Sequence, residues 1–140
     1  MIKFRFAKSL LMIFLIVLPA RAAAPGYKAV WLIPVNTVNV YEKLIKAIVR
    51  VESWGDTLAY NPAEEAVGAF QIRPIRLKDY NQRTGNNHKI EECYNYEFSK
   101  EIFLYYANLI LYHDFEIIAR NWNGSGKATL DYWKKVKSHL

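Results

Sequence analysis

The chain has a single cysteine, Cys93. An intrachain disulfide is therefore excluded, and the fold has to rest on its core. Histidine is scarce as well. His88, His113 and His139 stand far apart, without the H-x-x-x-H spacing that puts two imidazoles on one helix face, so no metal site is expected. Internal repeats and low-complexity tracts are missing. So are long apolar runs. The stretch Leu10 to Leu18 has nine residues, far short of the ~20 that a membrane-spanning helix needs.

That stretch follows Lys3, Arg5 and Lys8 and precedes Pro19-Ala20-Arg21-Ala22, an A-x-A cleavage signal. A basic region, an apolar run and a small-residue site in that order predict a secretory signal peptide over residues 1–22. An uncleaved anchor is the competing expectation. The mature chain would be residues 23–140, enough for one domain with one core. Four of the 19 Lys and Arg leave with the leader and none of the 13 Asp and Glu does. The net charge then falls from +6 to +2, and nucleic-acid binding loses its compositional support. Export to the periplasm or the extracellular space is expected, without stable membrane insertion once the leader is cleaved.

What remains is rich in rings: all ten Tyr and four Trp lie beyond residue 22. Such residues suit a core with amphipathic edges, or a groove that binds sugar. Residues 23–36 contain Pro25, Gly26 and Pro34 and read as an extended lead-in. A helix is predicted from about Val40 to Trp54, capped by Asn39 with Glu42 completing a capping box and stopped by Gly55. Residues 56–72, broken by Asn61-Pro62 and Gly68, read as short strands or a hairpin loop. Pro74 suits the first turn of a helix over about Ile75 to Arg83, closed by Gly85. A polar loop over 86–95 precedes a long helix, about Tyr96 to Tyr112. A shorter helix follows, Phe115 to Trp122, then a turn over 123–126. The last helix runs from about Ala128 to Lys137, with Leu130, Trp133 and Val136 inward. Lys134, Lys135 and Lys137 read as its solvated face, and Cys93 as a packed or loop thiol.

Glu52 is out of place in this pattern. It lies four residues after Ile48 and seven after Ile45, on the apolar face of the first helix. It also sits in the last turn, where the negative end of the helix dipole repels a carboxylate. Both effects raise its pKa, and a carboxyl kept protonated near neutral pH can donate to a leaving oxygen. The plainer alternative is a Glu at the edge of the face, paired with Arg50 or Arg73.

Three segments sharpen the choice. Glu52-Ser53 ends the first helix. Ala66-Val67-Gly68-Ala69-Phe70-Gln71-Ile72-Arg73-Pro74 follows a loop. Trp122-Asn123-Gly124-Ser125-Gly126 comes next, with Tyr132 on the helix after it. In this order and spacing the chain resembles the lytic-transglycosylase and goose-type lysozyme families of the lysozyme superfamily, over about residues 40–136. The resemblance implies an α+β, mostly helical, lysozyme-like fold with a small β element beside the cleft. It implies an enzyme that cuts the β-1,4 bond between N-acetylmuramic acid and N-acetylglucosamine in peptidoglycan, with no cofactor. Glu52 would be the general acid and later the base. Gln71 and Asn123 would hold sugar N-acetyl or hydroxyl groups, and Tyr132, with Ser53, would line the cleft. For Gln71 and Asn123 the alternative is capping of their own turns; for Tyr132 it is ordinary core. Family analogy also allows service to a secretion or conjugation machine, or a phage-derived lytic role.

The chain departs from the family pattern in three places. Glu65 stands where the first Gly of a Gly-Ala-x-Gly stretch is usual, Glu64 sits beside it, and Trp54 takes a position that is usually small. Either acid could be a second catalytic carboxylate, ~5–5.5 Å from the first in a retaining hydrolase and ~6.5–9.5 Å in an inverting one. Either could instead pair with Arg73 or Arg76. Transglycosylation by a single acid is the favoured expectation. Hydrolysis with two carboxylates is its neighbour, and a non-catalytic glycan-binding or scaffold module is the rival from another class.

Overall fold

The computed structural model describes residues 35–140. The leader expected over residues 1–22 lies outside them, as does most of the expected lead-in. Among these residues, five α-helices and one small hairpin make up the architecture. They are α1 (Val35–Ser53), β1 (Tyr60–Asn61), β2 (Ala66–Val67), α2 (Pro74–Thr84), α3 (Tyr96–Asn108), α4 (Phe115–Asn123) and α5 (Ala128–Lys137). The fold is α+β and mostly helical, as expected. Among the described residues no helix is long and apolar enough to cross a membrane.

α1 is the central element. Tyr41, Leu44, Ile45, Ile48 and Val49 are all buried, while Glu42, Lys43, Lys46 and Arg50 face water. Around this stripe pack Phe70 from the segment after β2, Ile102 and Phe103 from α3, Trp122 from α4 and Val136 from α5. Phe70 stacks on Phe103 with ring centroids 5.7 Å apart, and Trp122 meets Phe103 edge-on at 5.2 Å. This aromatic cluster fixes the segment that contains Gln71 against the helices that carry the rest of the site.

The hairpin is held by an unusual number of turns for its size. Tyr60 pairs with Val67 and Asn61 with Ala66. Asn61 Oδ1 accepts from the Ala63 amide at 3.1 Å, the Asx turn that an Asn-Pro start favours. A second, tighter turn follows, closed by reciprocal hydrogen bonds between Val67 and Ile72.

Four expectations need correction. α1 begins at Val35, so position 39 lies inside the helix and not at its cap, and Glu42 bonds Lys46 at 2.7 Å instead of closing a capping box. α3 stops at Asn108, not Tyr112. The chain tightens through Leu109 and Ile110, reverses at His113 with φ of 52°, and re-enters helix with Asp114 capping α4 through the Ile117 amide. Residues 86–95 contain a 3-10 turn, Ile90–Tyr94, not only loop. Leu130 is 42% exposed, because the inward stripe of α5 is Thr129, Tyr132 and Val136. That stripe is set by Tyr132, which has a partner to reach.

Candidate active site

The partner is Glu52. Its carboxyl lies in the last turn of α1, and the Tyr132 hydroxyl donates to its Oε1 at 2.7 Å across 80 residues of sequence. Burial raises the carboxyl from an ordinary value of 4.5 to about 7, and the negative charge of Glu64 adds to the rise. The Tyr132 hydrogen bond and the charges of Arg73 and Arg76 pull the other way without cancelling it. Burial and the carboxylate in turn push the Tyr132 hydroxyl far up, so it remains a donor at every working pH. A half-protonated carboxyl near neutrality, with one oxygen pinned, is equipped to give a proton and to take one back.

Ser53 follows Glu52 and ties the helix end to the turn beyond β2. Its Oγ donates to the Ala69 carbonyl at 2.9 Å and accepts from the Gly55 amide at 3.2 Å. Two residues further on, Gln71 adopts φ of 49°, and its Nε2 donates to the Gly68 carbonyl at 3.0 Å and the Ala59 carbonyl at 3.4 Å. Half of the Gln71 amide is thus engaged in holding its own turn. Its Oε1 accepts no hydrogen bond among the described residues.

Two arginines, Arg73 and Arg76, complete the surroundings of Glu52. Arg73 occupies the N-cap position of α2 without a side-chain capping bond and sends NH2 to the Asn123 carbonyl at 2.9 Å, while NH1 lies 3.5 Å from Glu64. Arg76 lies over the Tyr106 and Trp122 rings, 4.9 and 4.5 Å from their centroids. Its NH2 donates to the Trp122 carbonyl at 2.8 Å and to the Asn121 carbonyl at 3.2 Å. Cations at the start of a helix oppose its dipole. Two of them flanking Pro74 therefore signal a partner elsewhere, and that partner is the carbonyl-rich end of α4. Asn123 is placed there, its backbone held by Arg73 and its side chain making no hydrogen bond among the described residues.

Glu52, Tyr132, Arg73, Arg76, Glu64 and Asn123 are thus linked by contact or by charge. Glu65 is not among them. It is exposed, has φ of 52°, and forms no ion pair among the described residues. Trp54 is 70% exposed beneath the Arg50 guanidinium, which sits 4.0 Å from its ring centroid. Arg50 is two positions from Glu52 on the helix, so Trp54 packs on the outward face of α1. The histidines serve locally: His88 pairs with Glu92 at 2.8 Å and His113 bonds Tyr41. Cys93 is fully buried, and burial pushes its thiol up to about 12, which leaves it inert. Among the described residues no three His, Cys, Asp or Glu side chains are grouped to hold a metal ion.

The Tyr132 contact makes a testable prediction about pH. Its hydrogen bond favours the ionised form of Glu52, so Tyr132→Phe should raise the Glu52 pKa further. The alkaline limb of the pH–rate profile, where the acid form is lost, should move to higher pH. A limb that stays put or moves down would show that the hydroxyl does not govern this carboxyl.

A family model described as the transglycosylase SLT domain matches residues 30–123, well over half of the chain. The match includes Glu52, Gln71 and Asn123 and ends before α5, the helix that carries Tyr132. Comparison with curated proteins and with solved structures finds no match.

Proposed function

The chain belongs to the transglycosylase SLT domain family of peptidoglycan lytic enzymes, and from that premise we propose that Glu52 is its single catalytic acid and base. The bond cut is the β-1,4 link between N-acetylmuramic acid and N-acetylglucosamine. The observation that carries this reading is the Glu52 carboxyl itself: raised to about 7 by burial, pinned at Oε1 by Tyr132, and within reach of two guanidinium fields.

In the first step the protonated carboxyl gives its proton to the glycosidic oxygen as the C–O bond breaks. Arg73, Arg76 and the Tyr132 hydroxyl stabilise the carboxylate that this step leaves behind. In the second step that carboxylate takes a proton from a hydroxyl of the same muramic residue. The hydroxyl oxygen closes on the anomeric carbon, giving an anhydro end and restoring the acid. No second carboxylate is required. Gln71 Oε1 and the Asn123 amide are the polar groups left to hold sugar N-acetyl or hydroxyl groups. Ser53 keeps the Gln71 turn against the helix that carries the acid. Export across the cytoplasmic membrane, directed by a leader over residues 1–22, would bring the enzyme to this substrate.

Among the described residues Glu64 is the other acid whose charge is felt at Glu52, and its own oxygen is directed to Arg73. Mass analysis of products released from purified peptidoglycan tests the scheme. Anhydro-muramic ends are expected, lighter by one water than reducing ends. Glu64→Ala and Glu65→Ala should each keep at least about a tenth of the activity, since neither takes part in proton transfer. Reducing ends, together with near-complete loss in a folded Glu64→Ala or Glu65→Ala protein, would instead establish a two-carboxylate hydrolase.

A further inference from the structure

Away from the catalytic carboxyl, on the other flank of α2, lies a hollow of about 380 Å³. Buried Leu77 and half-buried Ile90 give it an apolar floor, with Pro74 at one edge. The exposed side-chain amides of Gln82, Asn86 and Asn87 stand around it. We propose that this hollow is a second glycan-binding site, which holds N-acetylated sugars of a peptidoglycan strand outside the cleft where the strand is cut. The inference rests on the reading that the substrate is peptidoglycan, and it adds an anchoring site that reading does not contain.

The hollow is set apart from the acid by the body of α2. Pro74, Leu77, Lys78 and Asn81 recur at the three- and four-residue spacing that gathers them on one side of the helix. Arg76 and Asp79 project from the opposite side. Arg76 is a cation felt at Glu52, and Lys78 is not. The far wall is held in shape before any ligand arrives. Asn81 Nδ2 donates to the His88 carbonyl at 2.9 Å, and its Oδ1 accepts from the His88 amide at 3.1 Å. The His88 ring is fixed by Glu92 at 2.8 Å and by Phe98, with centroids 4.4 Å apart. A wall ordered in advance lowers the cost of binding. The groups facing the space are free by contrast. Gln82, Asn86 and Asn87 make no side-chain hydrogen bond among the described residues, and Lys78 makes no ion pair. Each amide offers donors and an acceptor, which is what acetamido groups and neighbouring ring hydroxyls need. An apolar floor with a few polar groups around it is the usual form of a small-ligand site, and about 380 Å³ is within the range of such sites. Lys78 carries the one unpaired charge of the described walls, so a mainly neutral ligand fits better than a strongly charged one. An extended peptide would need free backbone groups to pair with, and those of His88 are taken by Asn81.

The probe is a stem-free tetrasaccharide of alternating N-acetylglucosamine and N-acetylmuramic acid, titrated into the Glu52→Gln protein and followed by NMR. The side-chain amides of Gln82, Asn86 and Asn87 give resonances of their own, and these should shift and saturate. Gln82→Ala combined with Asn87→Ala removes two amides that hold no protein partner among the described residues, so the double variant should melt with the wild type. On insoluble peptidoglycan its KM should rise about tenfold, the scale of two lost hydrogen bonds, with kcat unchanged. On the tetrasaccharide, which offers no second length of strand to anchor, its kcat/KM should match the wild type. Shifts confined to the cleft residues Gln71 and Asn123 would overturn the second site and leave the catalytic reading standing. An unchanged KM on insoluble peptidoglycan would do the same, and so would an equal loss on the tetrasaccharide. Shifts of the three amides with a free stem peptide, and none with the sugar, would make the hollow a peptide site and overturn the proposal. Failure of the wild type to cut peptidoglycan at all would overturn the peptidoglycan reading and this proposal with it.

Discussion

Glu52→Gln should lose activity by about a thousandfold or more, in line with removal of a general acid, while folding at least as well as the wild type at neutral pH. The stability half of this expectation follows from linkage. The folded-state pKa of about 7 lies above the ordinary 4.5, so the folded protein holds the Glu52 proton more tightly than the unfolded chain does. Between those two values the native state binds more protons, and stability falls as pH rises. Below about pH 4.5 both states are protonated and the carboxyl costs nothing. Above about pH 7 the cost is complete and flat, on the order of 1–3 kcal/mol, given that Glu52 is only partly shielded from water. Gln is neutral throughout, and its carbonyl can still accept from Tyr132. Urea unfolding at pH 4 and at pH 8 should therefore show little difference between variant and wild type in acid, and a more stable variant in mild base. An active Gln variant would refute the catalytic assignment. A variant less stable than the wild type at pH 8 would refute the view that burial, not a satisfied ion pair, governs this residue.

The same comparison explains what the sequence could disclose. Glu52 was legible because a charged residue on an apolar face breaks a simple period, and the break itself is the signal. α2 was legible because Pro74 and Gly85 punctuate both ends. Asn39 and Glu42 form a plausible capping box, which places the start of α1 too late. The helix runs through them, since extending it leaves the buried stripe from Tyr41 to Val49 intact. Leu130 misleads for a related reason. Hydrophobicity nominated it, but the orientation of α5 follows from the Tyr132 hydroxyl meeting a carboxyl 80 residues away. That is a tertiary contact with no local trace.

Gln71 and the arginines show the same limit at the site. An amide can serve a ligand or its own turn, and only coordinates show that Gln71 Nε2 serves the turn while Oε1 does not. Arg73 and Arg76 looked like candidate partners for nearby acids. Their main partners are carbonyls of residues 121–123, some 45 to 50 positions away. Backbone acceptors are invisible to any reading of side-chain pattern.

Gly68→Ala should be among the most destabilising single changes in the protein, by about 3–5 kcal/mol. Gly68 has φ of +73°, a left-handed conformation that costs an alanine roughly 1 kcal/mol. The larger part comes from space. A Cβ at this position would lie 2.2 Å from the Cys93 carbonyl oxygen and 3.2 Å from its carbon. That carbonyl cannot step back freely, because it accepts from the buried Ser99 hydroxyl at 2.5 Å, and both Cys93 and Ser99 are fully buried. Retreat would strand a buried donor, at about 1–3 kcal/mol. Movement of Gly68 instead would loosen its amide from the Ala59 carbonyl, now 2.8 Å away, and with it the turn that holds Gln71. Gly85→Ala is the matched control. Its φ of +71° imposes the same backbone strain, yet nothing lies within 4 Å of the added carbon. Thermal unfolding should place Gly85→Ala a few degrees below the wild type and Gly68→Ala ten degrees or more below it, by the usual relation of about 2–8 °C per kcal/mol. If the two variants melt within a degree or two of each other, the close approach to Cys93 does not hold the hairpin in place. The physical account of how the Gln71 turn is positioned beside Glu52 would then fail.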